Sequence, residues 1–78
     1  MFRALILDIE TASVVFREMA TSVILPGEEG EFSVLDFHQP IVSCLKEGAV
    51  RIDEKHSIPI KRGIARMEGN ELVILVEK

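Results

Sequence analysis

The sequence predicts an all-β fold: a small two-layer β-sandwich of two antiparallel sheets and about ten short strands. Three observations carry this. Apolar residues recur with a period of two along most of the chain, the period of a strand with one buried face. Turn-forming residues interrupt the runs at short intervals. The one stretch that can be wound into an amphipathic helix, "SVVFREMATSVIL", is rich in Val, Ser and Thr, which favour strand.

The elements follow in order. In "ALILDIE", Leu5, Leu7 and Ile9 are expected on the buried side and Asp8 and Glu10 on the other. Pro26 and Gly27 stop a strand that begins near Thr21. Residues 26–40, "PGEEGEFSVLDFHQP", then read as a long polar loop rimmed by Phe32, Phe37 and His38. "IVSCL" is an apolar strand, turned into "AVRI" by Lys46-Glu47-Gly48. In "AVRIDEK", Val50 and Ile52 alternate with Arg51 and Asp53. In "HSIPI", Ile58 and Ile60 share a face, and Pro59 has no N–H for a ladder, which places the segment at a sheet edge. Gly69-Asn70 marks a tight hairpin before "ELVILVEK", a strand covered on both faces or nearly so.

At 78 residues the chain is expected to form one domain spanning its whole length. A hydrophobic content of 47% with 28% charged residues fits a compact fold and excludes a disordered one. The net charge of -4 argues against nucleic acid, which needs clustered Lys and Arg; "KRGIAR" is too small a basic group for a duplex. A single cysteine, Cys44, forbids an internal disulfide. No apolar run approaches the roughly 20 residues that span a bilayer, so no membrane insertion is expected.

Candidate chemistry reduces to a few groups. His38, Cys44 and His56 lie six and twelve residues apart, without the short paired spacings of a zinc site, so no metal is expected. Cys44 lies within an apolar run, where a cysteine reads as a small core residue rather than a nucleophile. Glu28, Glu29 and Glu31 stand on a glycine-flanked turn, where their carboxylates remain hydrated and unsuited to acid–base work. "GEEG" has the outline of a phosphate-binding GxxG, but its two glutamates repel phosphate. No catalytic residue and no cofactor are expected. What is left is a contact surface: a negative patch with two phenylalanines flanking a histidine.

The order of these features resembles the N-terminal domain of the epsilon subunit of the F-type ATP synthase. The carriers are the opening strand Leu5–Thr11 pattern "LILDIET", Phe16, and the central run "GEEGEFSVLDFHQPIVSCLKEGAVRI". Within that run Gly27, Glu29-Gly30-Glu31, His38, Pro40, Leu45-Lys46 and Gly48 keep the order and spacing of the family. Gly63 and Asn70 match its closing hairpin. The chain departs from the pattern in three places: Asp36-Phe37 stands where Pro-Gly is usual, Gln39 precedes the proline, and Arg62-Gly63 replaces a glycine pair.

The resemblance implies a non-catalytic rotor subunit of the central stalk. It would bind the gamma subunit and the polar loops of the c-ring, coupling ion translocation to ATP synthesis. It implies a ring-contact loop of Glu29, Gly30, Glu31, Phe32 and His38, with Glu31 foremost. It implies structural turns at Gly27, Pro40, Gly48, Gly63 and Asn70. The location implied is peripheral, at the cytoplasmic face of the energy-transducing membrane, through the complex. The C-terminal helices common in the family are not expected in this sequence. An alternative from another class is a stand-alone β-sandwich adaptor that serves another complex.

Overall fold

The structure, a computed structural model, describes residues 1–36 and 40–78. Its nine strands are β1 (Phe2–Asp8), β2 (Ser13–Ala20), β3 (Ser22–Gly27), β4 (Gly30–Leu35), β5 (Ile41–Leu45), β6 (Gly48–Ile52), β7 (His56–Ile60), β8 (Arg62–Glu68) and β9 (Glu71–Glu77). One hydrogen-bonded path runs β2-β1-β9-β8-β5-β3-β6-β7, with β4 on the free side of β3. The all-β sandwich predicted from sequence is therefore present, but its two layers are halves of one curled sheet. One layer is β2-β1-β9-β8-β5; the other is β4-β3-β6-β7.

Strand β3 makes the corner. Its whole length pairs with β4, while its other edge meets β6 at Val23 and Ile24 and β5 at Gly27. The turn at Lys46-Glu47 thus hands the chain from β5 to β6 without the two pairing with each other; each lies against β3 instead. Gly48 is needed at this crossing, because a Cβ there would come within 2.8 Å of Pro26 Cβ. A second departure from an all-antiparallel scheme is β1–β9, which pair in parallel.

The core is the inner face of both layers. Ile6 and Ala65 flank Ile74, while Ala4 and Met67 flank Leu72. Val23 stands between Val34 and Ile52 in the facing layer. All of these are almost completely buried, and each large aliphatic contributes about 1.5–3 kcal/mol. Val50, Ile52 and Ile60 fill the positions expected of them, and β7 with Pro59 does form an end of the sheet.

In β1 the expected phase is reversed. Phe2, Ala4, Ile6 and Asp8 face inward; Leu5 and Leu7 are half-buried on the outer face and Ile9 is exposed. The segment carries apolar residues in both phases, so alternation alone does not choose between them. The parallel register with β9 chooses: it sets Ala4 beside Leu72, Ile6 beside Ile74 and Asp8 beside Val76. The buried Asp8 is satisfied locally, accepting hydrogen bonds at Oδ1 from the amides of Glu10 (2.9 Å) and Thr11 (3.3 Å).

Two turns show why their sequences fold as they do. Gly69, with φ 61°, opens the β8–β9 hairpin, the left-handed conformation that glycine adopts without a Cβ clash. Between β6 and β7, Asp53 (φ 51°) and Glu54 (φ 58°) are both left-handed, and the Lys55 amide donates to the Ile52 carbonyl at 2.9 Å. Without glycine this turn is strained, and Asp53 offsets the strain. Its Oδ1 accepts from the Thr21 amide (2.9 Å), the Thr21 hydroxyl (2.8 Å) and the Ser22 amide (2.8 Å), clasping the turn to the β2–β3 junction.

Partial burial tends to raise the Asp53 carboxyl pKa, but these hydrogen bonds and nearby Lys55 together hold it below its ordinary 3.8. A carboxyl depressed in the folded state stabilises the fold above its unfolded pKa, and that contribution is lost as pH falls through the folded value. Asp53→Asn keeps an acceptor and tolerates positive φ, so it isolates the charge. It is expected to cost about 1 kcal/mol at neutral pH. In urea titrations the gap from wild type should close as pH drops below about 4; a gap independent of pH would remove the charge from the explanation.

Candidate functional site

The stretch 26–40, expected as one long polar loop, is mostly a hairpin. β3 ends at Gly27, Glu28 and Glu29 form the tip, and β4 returns from Gly30 to Leu35. The correction has a simple cause: "EFSVL" alternates, with Val34 buried and Phe32 half-buried against the core while Glu31, Ser33 and Leu35 face out. The charge density of the tip masks that period in the sequence.

The tip is tight and well anchored. Gly27 pairs with Gly30, and a Cβ on Gly27 would fall 2.7 Å from the Gly30 carbonyl and 2.8 Å from the Phe32 ring. Gly30 has φ 133°, which favours glycine. The Glu28 amide donates to the Cys44 carbonyl (3.1 Å) and the Lys46 amide to the Pro26 carbonyl (2.9 Å), stitching the hairpin base to the end of β5. Between hairpin and β5 lies an open groove of about 560 Å³, walled by Glu28, Glu29, Glu31 and Phe32 on one side and by Val42 and Cys44 on the other. Glu31 pairs with Arg51 at 2.9 Å.

Four of the five residues expected in the contact loop, Glu29, Gly30, Glu31 and Phe32, therefore come together on one hairpin. Phe32 lies against Gly27 and the core rather than standing free. The fifth, His38, lies outside the described residues. Of the residues expected at structural turns, Gly27 ends β3, Gly48 begins β6 and Gly63 lies within β8 rather than in a turn; each sits where a side chain would collide, and at Gly63 the obstacle is the Leu75 carbonyl, 2.5 Å away. Asn70 follows Gly69 in the β8–β9 turn, and its carbonyl accepts from the Arg3 amide at 2.9 Å. Pro40 is exposed just before β5.

Cys44, expected in the core, is exposed. It alternates with the inward-facing Leu45 and sits beside Ile64 on the outer face of its layer. His56 begins β7, its ring edge-on to Phe16 at 5.2 Å. Among the described residues no three His, Cys, Asp or Glu side chains converge as a metal site.

A second surface is apolar, and no single strand of the sequence locates it. On the outside of the five-stranded layer, Val14, Leu7, Leu75, Ile64 and Cys44 stand side by side in one row, strand by strand. Val14 and Ile64 are 53% and 40% exposed, so this stripe faces solvent. The next row places Leu5 and Val73 between Arg17 and Arg66, with Val42 beyond, giving the stripe a cationic border. A signal for it exists in the sequence: "ALILDI" and "ELVILV" carry aliphatics in both phases, more than one buried face requires. The acidic groove and the apolar stripe meet at Cys44, which lines both the hairpin groove and a cleft beside Ile9, Ile64 and Leu75.

Fold and surfaces together define a small β-sandwich whose distinguishing chemistry lies on its outside: an acidic hairpin tip next to an uncovered apolar sheet face. The profile described as ATP synthase, Delta/Epsilon chain, beta-sandwich domain matches residues 6–78, and the chain belongs to this family. It is 39% identical over 67 residues to the ATP synthase epsilon chain of Campylobacter concisus, an alignment covering 81% of this chain and 52% of that one. It is 38% identical over 71 residues to the epsilon chain of Rickettsia bellii, covering 83% and 66%. With the epsilon chain of Chlorobium limicola it shares 35% identity over 80 residues, covering 96% and 91%. The chain thus spans about half the length of the Campylobacter relative (52%) and most of the Chlorobium one (91%). A chain in the structure of the Tetrahymena thermophila mitochondrial ATP synthase central stalk and c-ring shares the fold, with TM-score 0.78 at 10% identity, covering 97% of this chain and 63% of that one. Among the described residues no helix is long and apolar enough to cross a membrane.

Proposed function

We propose that the chain is a non-catalytic subunit of the central stalk of an F-type ATP synthase, turning with the rotor and coupling ion translocation to ATP synthesis. In this reading the apolar stripe docks on the gamma subunit, and the β3–β4 hairpin meets the polar loops of the c-ring. The protein is then peripheral, held at the cytoplasmic face of the energy-transducing membrane through its complex. The observation that carries the proposal is the adjacency of two unlike surfaces, one apolar with a cationic border and one acidic, joined at Cys44. An apolar stripe of this width on a small protein is a feature of surfaces that are covered in their assembly. Carboxylates on a short, stitched hairpin suit a basic or polar loop, and the rigid sandwich beneath keeps the contact from yielding under load.

The test is binding of the purified chain to the cognate gamma subunit and, separately, to the isolated c-ring, each repeated with Glu31→Lys. Wild type is expected to bind both. The substitution is expected to weaken the ring complex by about tenfold or more and to leave the gamma complex unchanged. Binding to neither partner would overturn the proposal; equal loss of both would show that the hairpin is not a separate contact.

A further inference from the structure

We propose that Arg51 is a positioning residue for Glu31: it reaches across β3 to hold the carboxylate in one orientation for a cationic group on the partner. The inference rests on reading the hairpin as the ring-facing contact. Glu31 lies on β4 opposite Pro26, and Arg51 lies on β6 opposite Ile24, so both point outward from strands that flank β3. With neighbouring strands about 4.8 Å apart, β4 and β6 are separated by roughly 10 Å, and the two side chains lean toward each other over β3 to bring Arg51 Nη2 within 2.9 Å of Glu31 Oε2.

Both side chains remain substantially hydrated, 45% exposed for Arg51 and 59% for Glu31, so the pair adds little to folding stability. Its effect lies in the unbound state. A free glutamate samples many rotamers that docking must freeze, whereas one already tethered on one oxygen presents the other with less to lose. Glu28 and Glu29, at the tip of the same hairpin, have no ion pair among the described residues. Of the three carboxylates on the hairpin, Glu31 alone is thus held by an arginine among the described residues, and it is the one whose orientation can set register.

Removing Arg51 has two opposed consequences. The acidic surface becomes more negative, which favours encounter with a basic partner at low salt; the contact carboxylate becomes mobile, which favours escape. The escape rate isolates the second. Arg51→Met retains much of the apolar stem without the charge. In the free chain, three-bond couplings of Glu31 should change from one dominant χ1 rotamer to an average. On immobilised c-ring at about 0.15 M salt, where charges beyond about 8 Å are screened, dissociation should accelerate by about 2- to 10-fold.

The exchanged pair Glu31→Arg/Arg51→Glu separates positioning from a purely structural bridge. It restores an ordered ion pair, and it should bind the ring as poorly as Glu31→Lys does. Wild-type affinity in the exchanged protein would mean that the pair is structural only and would overturn the proposal. So would unchanged couplings or unchanged dissociation in Arg51→Met while wild type binds. If wild type itself does not bind the ring, the reading of the hairpin falls and the positioning role falls with it.

Discussion

Ile6→Ala is expected to lower the unfolding free energy by about 2–5 kcal/mol, whereas Leu7→Ala, one position along the same strand, should cost roughly 1 kcal/mol. Ile6 is completely buried, flanked by Phe16 of β2 and Ile74 of β9, so its truncation leaves a cavity that neighbouring strands cannot close. Leu7 is half-buried on the outer face, where truncation removes contact with Leu75 and Val14 but opens no enclosed void. A domain of this size holds only about 4–12 kcal/mol in total, so the first substitution should leave a marginal protein with a much reduced urea midpoint. The reverse order would show that Leu5 and Leu7, not Ile6, form the buried face of β1; equal effects would show that neither face is preferentially covered.

Ile64→Glu is expected to weaken binding to the gamma subunit by about 2–4 kcal/mol, roughly 30- to 700-fold, with little change in folding stability. Ile64 stands near the middle of the apolar stripe, between Leu75 and Cys44, and is 40% exposed in the free chain. In the free protein the new carboxylate stays hydrated; in a docked complex it would be buried without a partner. Isothermal titration against gamma, paired with urea denaturation of the free chain, checks both halves. Unchanged affinity would move the gamma contact to another face; loss of folding would show that the stripe belongs to the core. Because Ile64 lies on β8 and the ring-contact residue Glu31 on β4, the same variant should still bind the c-ring, which separates the two surfaces.

The parts of the site that were legible in the sequence are the ones encoded by neighbours along the chain. Glu29, Gly30 and Glu31 announce a tight acidic turn, since the glycines supply the backbone freedom and close approach that the turn needs. Arg51 was not legible as their companion, because its ion pair with Glu31 exists only once β4 and β6 are placed on either side of β3. The clasp from Asp53 to Thr21 and Ser22 is hidden for the same reason. The strand β4 was hidden by composition: its glutamate, serine and flanking glycines read as loop, although Phe32 and Val34 keep the period of two.

By itself the sequence determined the all-β class, the edge position of β7 through Pro59, the Gly69-Asn70 hairpin and the resemblance to the epsilon chains. Each is a property of local backbone chemistry or of residue order, and needs no knowledge of which strands lie side by side. Only the tertiary structure decided which face of β1 is core, that β1 and β9 run parallel, that Cys44 looks outward, and that five strands pool their second apolar phase into one exposed stripe. Alternation fixes the two faces of a strand but not which of them is covered. That choice is made by the neighbouring strand's register, where burying Ile6 against Ile74 and capping Asp8 with two amides outweighs burying Leu5 and Leu7.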